Sequence, residues 1–118
     1  SPQRLATFSI VVPCAFEGDF ALKTVRAIWK NTKHKRIKEI LVIDDGSLPP
    51  LQALFPSELL AGGPGQPPLR LLRHNRTLGL IAAKKAGGDA AVGDIIAFLD
   101  CHVSPRKGWE EAMVKQMR

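Results

Sequence analysis

Asp100 and His102 stand two residues apart at the end of an apolar run, Ile95-Ile96-Ala97-Phe98-Leu99. In an extended segment, side chains at i and i+2 point the same way. One carboxylate oxygen and one imidazole nitrogen would then meet one cation, and mixed O/N ligation suits Mn2+ better than Ca2+. The plain alternative is a polar strand end, with Asp100 closing a turn and His102 in water. A second acidic group, Asp44-Asp45-Gly46-Ser47, closes another apolar run. Asp and Gly are turn residues, yet a buried acid there can also accept a hydrogen bond from a base N–H or a ribose hydroxyl. The two cysteines, Cys14 and Cys101, each follow an apolar run. They form no CxxC and no disulfide framework, and read as buried free thiols. His34 lies in a basic run and His74 follows a strand, and both read as surface histidines. No Ser-His-Asp order or zinc-ligand cluster stands out.

These residues need elements to hold them. Four apolar runs read as strands: Phe8 to Val12, Glu39 to Ile43, Leu69 to Leu72, and Ile95 to Leu99. The first, second and fourth are nearly continuous, as in strands buried on both faces of a parallel sheet. Between the first two, Leu22, Val25 and Trp29 recur at helical spacing beside Ile28, with Lys23, Arg26 and Lys30 on the other side. A second helix is expected from Leu78 to Val92, where Ala82, Ala83, Ala86, Gly87 and Ala90 permit close approach to a sheet. A third is expected after the fourth strand, with Ser104 as N-cap, Pro105 at the first helical position, and an apolar stripe of Trp109, Ala112, Met113 and Met117. Pro49 to Pro68 is irregular, with a short helix near Leu51–Phe55 and a loop at Gly62–Gly65. The alternation implies a layered α/β fold with right-handed crossovers. No repeat or domain boundary breaks residues 1–118, which read as one domain.

In such sheets ligands collect at the carboxyl ends of the strands. Pro13-Cys14-Ala15-Phe16-Glu17, Asp44-Asp45-Gly46-Ser47 and Asp100-Cys101-His102 all fall there. Two familiar phosphate devices are missing, since no GxGxxG follows the first strand and no GxxxxGK[ST] occurs. A phosphate site would need another source of positive charge, which a metal at Asp100 would supply.

Composition is that of an ordinary globular chain, 45% hydrophobic and 24% charged. The net charge is +6, but much of it lies in one run, Lys30, Lys33, Lys35, Arg36 and Lys38, which reads as a solvated helix end. Tyrosine is absent and no basic segment is interleaved with aromatics, so nucleic acid is not an expected partner. No stretch reaches the roughly 18 apolar residues of a membrane span. Ser1-Pro2-Gln3-Arg4 carries no signal-peptide core, so a targeting segment would lie outside this chain.

The ordered residues resemble the GT-A class of glycosyltransferases. Ile10-Val11-Val12-Pro13, Ile43-Asp44-Asp45-Gly46-Ser47 and Ile96-Ala97-Phe98-Leu99-Asp100 are similar to its family-2 type. The run Leu71-Leu72-Arg73-His74-Asn75-Arg76-Thr77-Leu78-Gly79-Leu80-Ile81, continued to Asp100-Cys101-His102 and Gly108-Trp109-Glu110-Glu111, resembles the polypeptide N-acetylgalactosaminyltransferases. The histidine two after the aspartate discriminates, because family-2 enzymes usually carry a second acid there. The chain departs from the pattern in reading Pro13 for the usual Thr, in Ala15-Phe16-Glu17, and in the loss of several arginines after Gly79.

The resemblance covers the first half of that family's catalytic domain. It implies a three-layer, Rossmann-like, mostly parallel nucleotide-binding half with flanking helices. By resemblance, Asp100 and His102 would ligate Mn2+, and Asp45 would bind uracil. Pro13, Cys14, Ala15, Glu17, Arg76, Thr77, Gly79 and Cys101 would line the nucleotide-sugar pocket. Strict register puts the family arginine on Thr77, with Arg76 one residue away. The implied function is UDP-sugar binding through Mn2+, with transfer of a hexosamine, GalNAc, to protein Ser or Thr by the full-length protein in the Golgi lumen. The protein or glycan acceptor would be bound by a following half, so little or no transfer is expected of residues 1–118 alone. The alternative is a catalytically inactive nucleotide-binding or interaction module with the same fold.

Overall fold

The computed structural model describes residues 6–16, 18–61, 67–102, 105–110 and 112. The order is β1 (Phe8–Cys14), α1 (Gly18–Asn31), β2 (Ile37–Asp45), α2 (Leu51–Leu54), α3 (Ser57–Ala61), β3 (Leu69–His74), α4 (Leu80–Ala90) and β4 (Ile95–Phe98), with one 3-10 turn at His34–Arg36 before β2. The strands lie in the order β3-β2-β1-β4, and every neighbouring pair is parallel. The chain thus builds outward from β1 to β3, then returns to the far side of β1. That reversal makes a topological switch point between β1 and β4, where a crevice opens at the carboxyl ends.

Two cores form because the pleat sends alternate residues to opposite faces. On one face Phe8, Ile10 and Val12 of β1 and Ile40 and Val42 of β2 pack with Ala21, Val25 and Ile28 of α1. On the other, Val11, Leu41 and Ile43 pack with Ala83 of α4. Gly87 explains how close α4 lies, since a Cβ there would overlap the Val11 side chain. The result is three layers, helices on both faces of a parallel sheet. Among the described residues no helix is long and apolar enough to cross a membrane.

Several expectations change. β1, β2 and β3 each run two residues further at their carboxyl ends than the apolar runs suggested, so Asp44 and Asp45 belong to β2 itself. β4 is not buried on both faces. Among the described residues it stands at the edge of the sheet, with Ala97 buried but Ile96 and Phe98 41% and 44% exposed. Pro105 does not open a helix. A turn at Lys107-Gly108 intervenes, Gly108 has φ +88°, and helix begins at Trp109. A left-handed residue cannot continue a helix, so the capping signal yields to the glycine. Arg36 leaves the solvated run, being buried and donating to the Ala6 carbonyl at 3.1 Å. Ser104, Met113, Met117 and the loop at Gly62–Gly65 lie outside the described residues.

Candidate functional site

A cavity of about 390 Å3 opens at the carboxyl ends of the strands, within the usual size range of small-ligand sites, roughly 300–1,000 Å3. Its lining comes from four places. The end of β1 gives Pro13, Cys14 and Ala15, and the end of β2 gives Asp45. The segment entering α4 gives Thr77 and Gly79, and the turn after β4 gives Asp100, Cys101 and His102. All nine were candidates from the sequence. Leu80 and Ala83 of α4 complete the lining; in the sequence Ala83 reads as a helix-packing residue and Leu80 carries no site role. Their position three apart, on the first turn of α4 just after its N-cap Gly79, was the signal. Arg76 is exposed and does not line the cavity, and Glu17 lies outside the described residues.

Asp44 and Asp45 are neighbours on one strand, so their side chains leave on opposite faces. Asp44 is structural. Its carboxylate accepts N–H bonds from Ser47 and Leu51 at 2.9 Å each, and meets the Arg73 guanidinium at 2.6 Å. Asp45 points to the other face. Its Oδ1 accepts the Leu78 N–H at 2.9 Å, its Oδ2 accepts the Gly79 N–H at 2.8 Å, and Oδ1 lies 2.8 Å from His74 Nδ1. Burial alone would raise both carboxyls. The hydrogen bonds outweigh it, chiefly Leu51 for Asp44 and Leu78 for Asp45, and both sit below the usual carboxylate value. Asp45 therefore holds the loop before α4 while also facing the cavity. His74, read from sequence as a surface histidine, is half-buried and braces that carboxylate. Gly46 permits the arrangement. It has φ +82°, and a Cβ there would sit 2.5 Å from the Thr77 amide nitrogen.

Asp100 and His102 are both exposed and both line the cavity. The reason differs from the one expected. β4 ends at Phe98, and Cys101-His102 form a turn, so a turn brings the pair together where an extended i, i+2 alternation was expected. The His102 ring packs edge-on against Phe20 of α1, centroids 4.7 Å apart. Between the pair, Cys101 is buried, and its carbonyl accepts the Thr24 hydroxyl of α1. The donor set, one carboxylate and one imidazole open to the cavity, fits a borderline divalent cation. Among the described residues no group of three or more His, Cys, Asp or Glu is placed to hold a metal. The N-terminus of α4 also opens on the cavity through Gly79 and Leu80, and helix N-termini favour anions.

The glycosyl transferase family 2 model matches residues 9–118. Human "Polypeptide N-acetylgalactosaminyltransferase 15" is 33% identical over 118 residues, 98% of this chain and 18% of that protein. Rat "Polypeptide N-acetylgalactosaminyltransferase 10" is 32% identical over 116 residues, 91% of this chain and 17% of that protein. The chain thus spans less than a fifth of these relatives' length. Among solved structures, "GalNAc-T7 with UDP, GalNAc and Mn2+" superposes with TM-score 0.73 at 31% identity, covering 92% of this chain and 20% of that one. TarS 1-349 of S. aureus superposes with TM-score 0.73 at 17% identity, covering 92% of this chain and 31% of that one, a likeness of fold.

Proposed function

The chain belongs to glycosyl transferase family 2, and from that premise we propose that it is the nucleotide-sugar-binding half of a metal-dependent glycosyltransferase. The donor is a UDP-sugar. The full-length protein transfers a hexosamine, GalNAc, to Ser or Thr of a protein acceptor in the Golgi lumen. The observation that carries the reading is one cavity that gathers nine of the sequence candidates from four separate segments, with a carboxylate and an imidazole both open to it. The solved relative that holds UDP, GalNAc and Mn2+ supports the choice of ligand.

Each group then has a task. Asp45 fixes the Leu78 and Gly79 amides and presents its remaining acceptor capacity to the base or ribose. The backbone at Pro13, Cys14 and Ala15 walls the nucleotide. Asp100 and His102 hold the cation. Bound there, Mn2+ supplies the positive charge that a diphosphate leaving group needs. The first turn of α4 adds its partial positive charge from the other side.

Calorimetry with UDP, in the presence and absence of Mn2+, tests the assignment. Binding is expected with Mn2+ and is expected to fall roughly 100-fold in Asp100→Ala, about 2.7 kcal/mol. UDP affinity indifferent to both the metal and the substitution would overturn the reading.

A further inference from the structure

We propose that Cys14 and Cys101 form a disulfide across the seam between β1 and β4, at the edge of the cavity. β1 and β4 pair in parallel with Val11 opposite Phe98, and the Leu99 N–H continues the ladder to the Val11 carbonyl at 3.0 Å. β4 ends at Phe98, and the turn that follows it sets Cys101 against Cys14 at the end of β1. The two sulfurs face each other at 2.6 Å. Both residues are 3% exposed, yet both line the cavity, which gives a small oxidant its approach. Read singly in the sequence, each was an inert buried thiol; the strand order makes them a pair.

The chemistry is thiol–disulfide exchange with a low-molecular-weight disulfide, RSSR. One cysteine thiolate attacks RSSR and releases RSH after protonation. The second attacks the mixed disulfide and releases another RSH. Two cysteine thiols are oxidised, one RSSR is reduced to two RSH, and the new S–S bond closes a loop between positions 87 apart. It ties the turn that carries Asp100 and His102 to the end of β1. The two sulfurs meet whether or not the cavity takes a nucleotide.

The intact chain is incubated with oxidised glutathione, quenched in acid, unfolded and treated with N-ethylmaleimide. The expected product has lost two hydrogen atoms in mass and takes no maleimide at either cysteine. Its non-reducing peptide map joins the segments containing Cys14 and Cys101, and dithiothreitol restores two maleimide sites. The oxidised form should melt about 10 °C above the reduced form, because a long loop is closed. Cys14→Ser and Cys101→Ser should each give one free thiol or one glutathione adduct and no internal cross-link. Two maleimides on the wild-type chain after oxidation, two glutathione adducts, or a cross-link between two copies would each overturn the proposal.

Discussion

The two ends of the sheet both carry acids, and they use them differently. At the amino end Glu39 is buried and saturated. Its Oε2 accepts the Ser9 hydroxyl at 2.7 Å and the Val92 N–H at 2.8 Å, and its Oε1 meets Arg70 at 3.0 Å. Ser9 in turn accepts the Gly93 N–H at 2.8 Å. That network stitches the starts of β1, β2 and β3 to the approach of β4. At the carboxyl end Asp100 is exposed and opens on a cavity with His102. Asp45 stands between these cases, bonded to the protein yet facing the cavity. A carboxylate whose acceptor sites are filled by its own chain serves the fold, and one left open at a crevice is available to a ligand.

The sharpest way to break this contrast is to exchange its readouts. Asp100→Ala should cost the 100-fold loss of Mn2+-dependent UDP affinity given above, yet shift the Tm by no more than about 2 °C, since an exposed side chain is removed. A large fall in Tm, read by scanning calorimetry, would erase the distinction. Glu39→Ala should do the reverse. It takes the buried acceptor from the Ser9 hydroxyl and one of two partners from both the Val92 N–H and the Arg70 guanidinium, costing about 2 kcal/mol, or a fall in Tm of roughly 10 °C, while UDP affinity below the transition is unchanged.

The intermediate case predicts a pH dependence. Asp44 and Asp45 are depressed below the usual carboxylate value in the folded chain. The stability they contribute is therefore full above the unfolded carboxylate value and is lost as pH falls through the folded one. Urea midpoints measured down the acid range should drop there, and Asp45→Asn should flatten the drop. An unchanged slope would assign acid loss to other groups. The smallest effect belongs to the Lys85–Asp89 pair on the outer face of α4, 2.9 Å apart but exposed. Lys85→Ala should move Tm by about 1 °C or less; a larger shift would give surface charge a weight that neither end of the sheet requires.

Much of this was legible in the sequence. The apolar runs located all four strands, and helical spacing located α1 and α4. The cavity was legible because strand ends can be read from where apolar runs stop. What escaped was tertiary. Nothing in Ile95 to Leu99 distinguishes an edge strand from a central one, because the run is apolar on both faces and only the strand order leaves Ile96 and Phe98 open. His74 looked superficial because its partner, Asp45, is on a neighbouring strand. The helix expected after β4 starts at Trp109 and not at Pro105, because Gly108 supplied a competing local instruction. The division of labour between Asp44 and Asp45 was available from the pleat alone, once both were known to lie within β2.

The walls of the cavity are anchored to different bodies. On the Asp45 side, Phe16 donates its N–H to Ser47 Oγ and Asp45 grips residues 78 and 79, so three loops are lashed to the sheet. On the Asp100 side, the Cys101 carbonyl and the His102 ring both rest on α1, through Thr24 and Phe20. The turn at Cys101-His102 thus takes its position from α1 as well as from β1, so a change on the buried face of α1, at Val25 or Ile28, reaches the cavity from residues that do not line it.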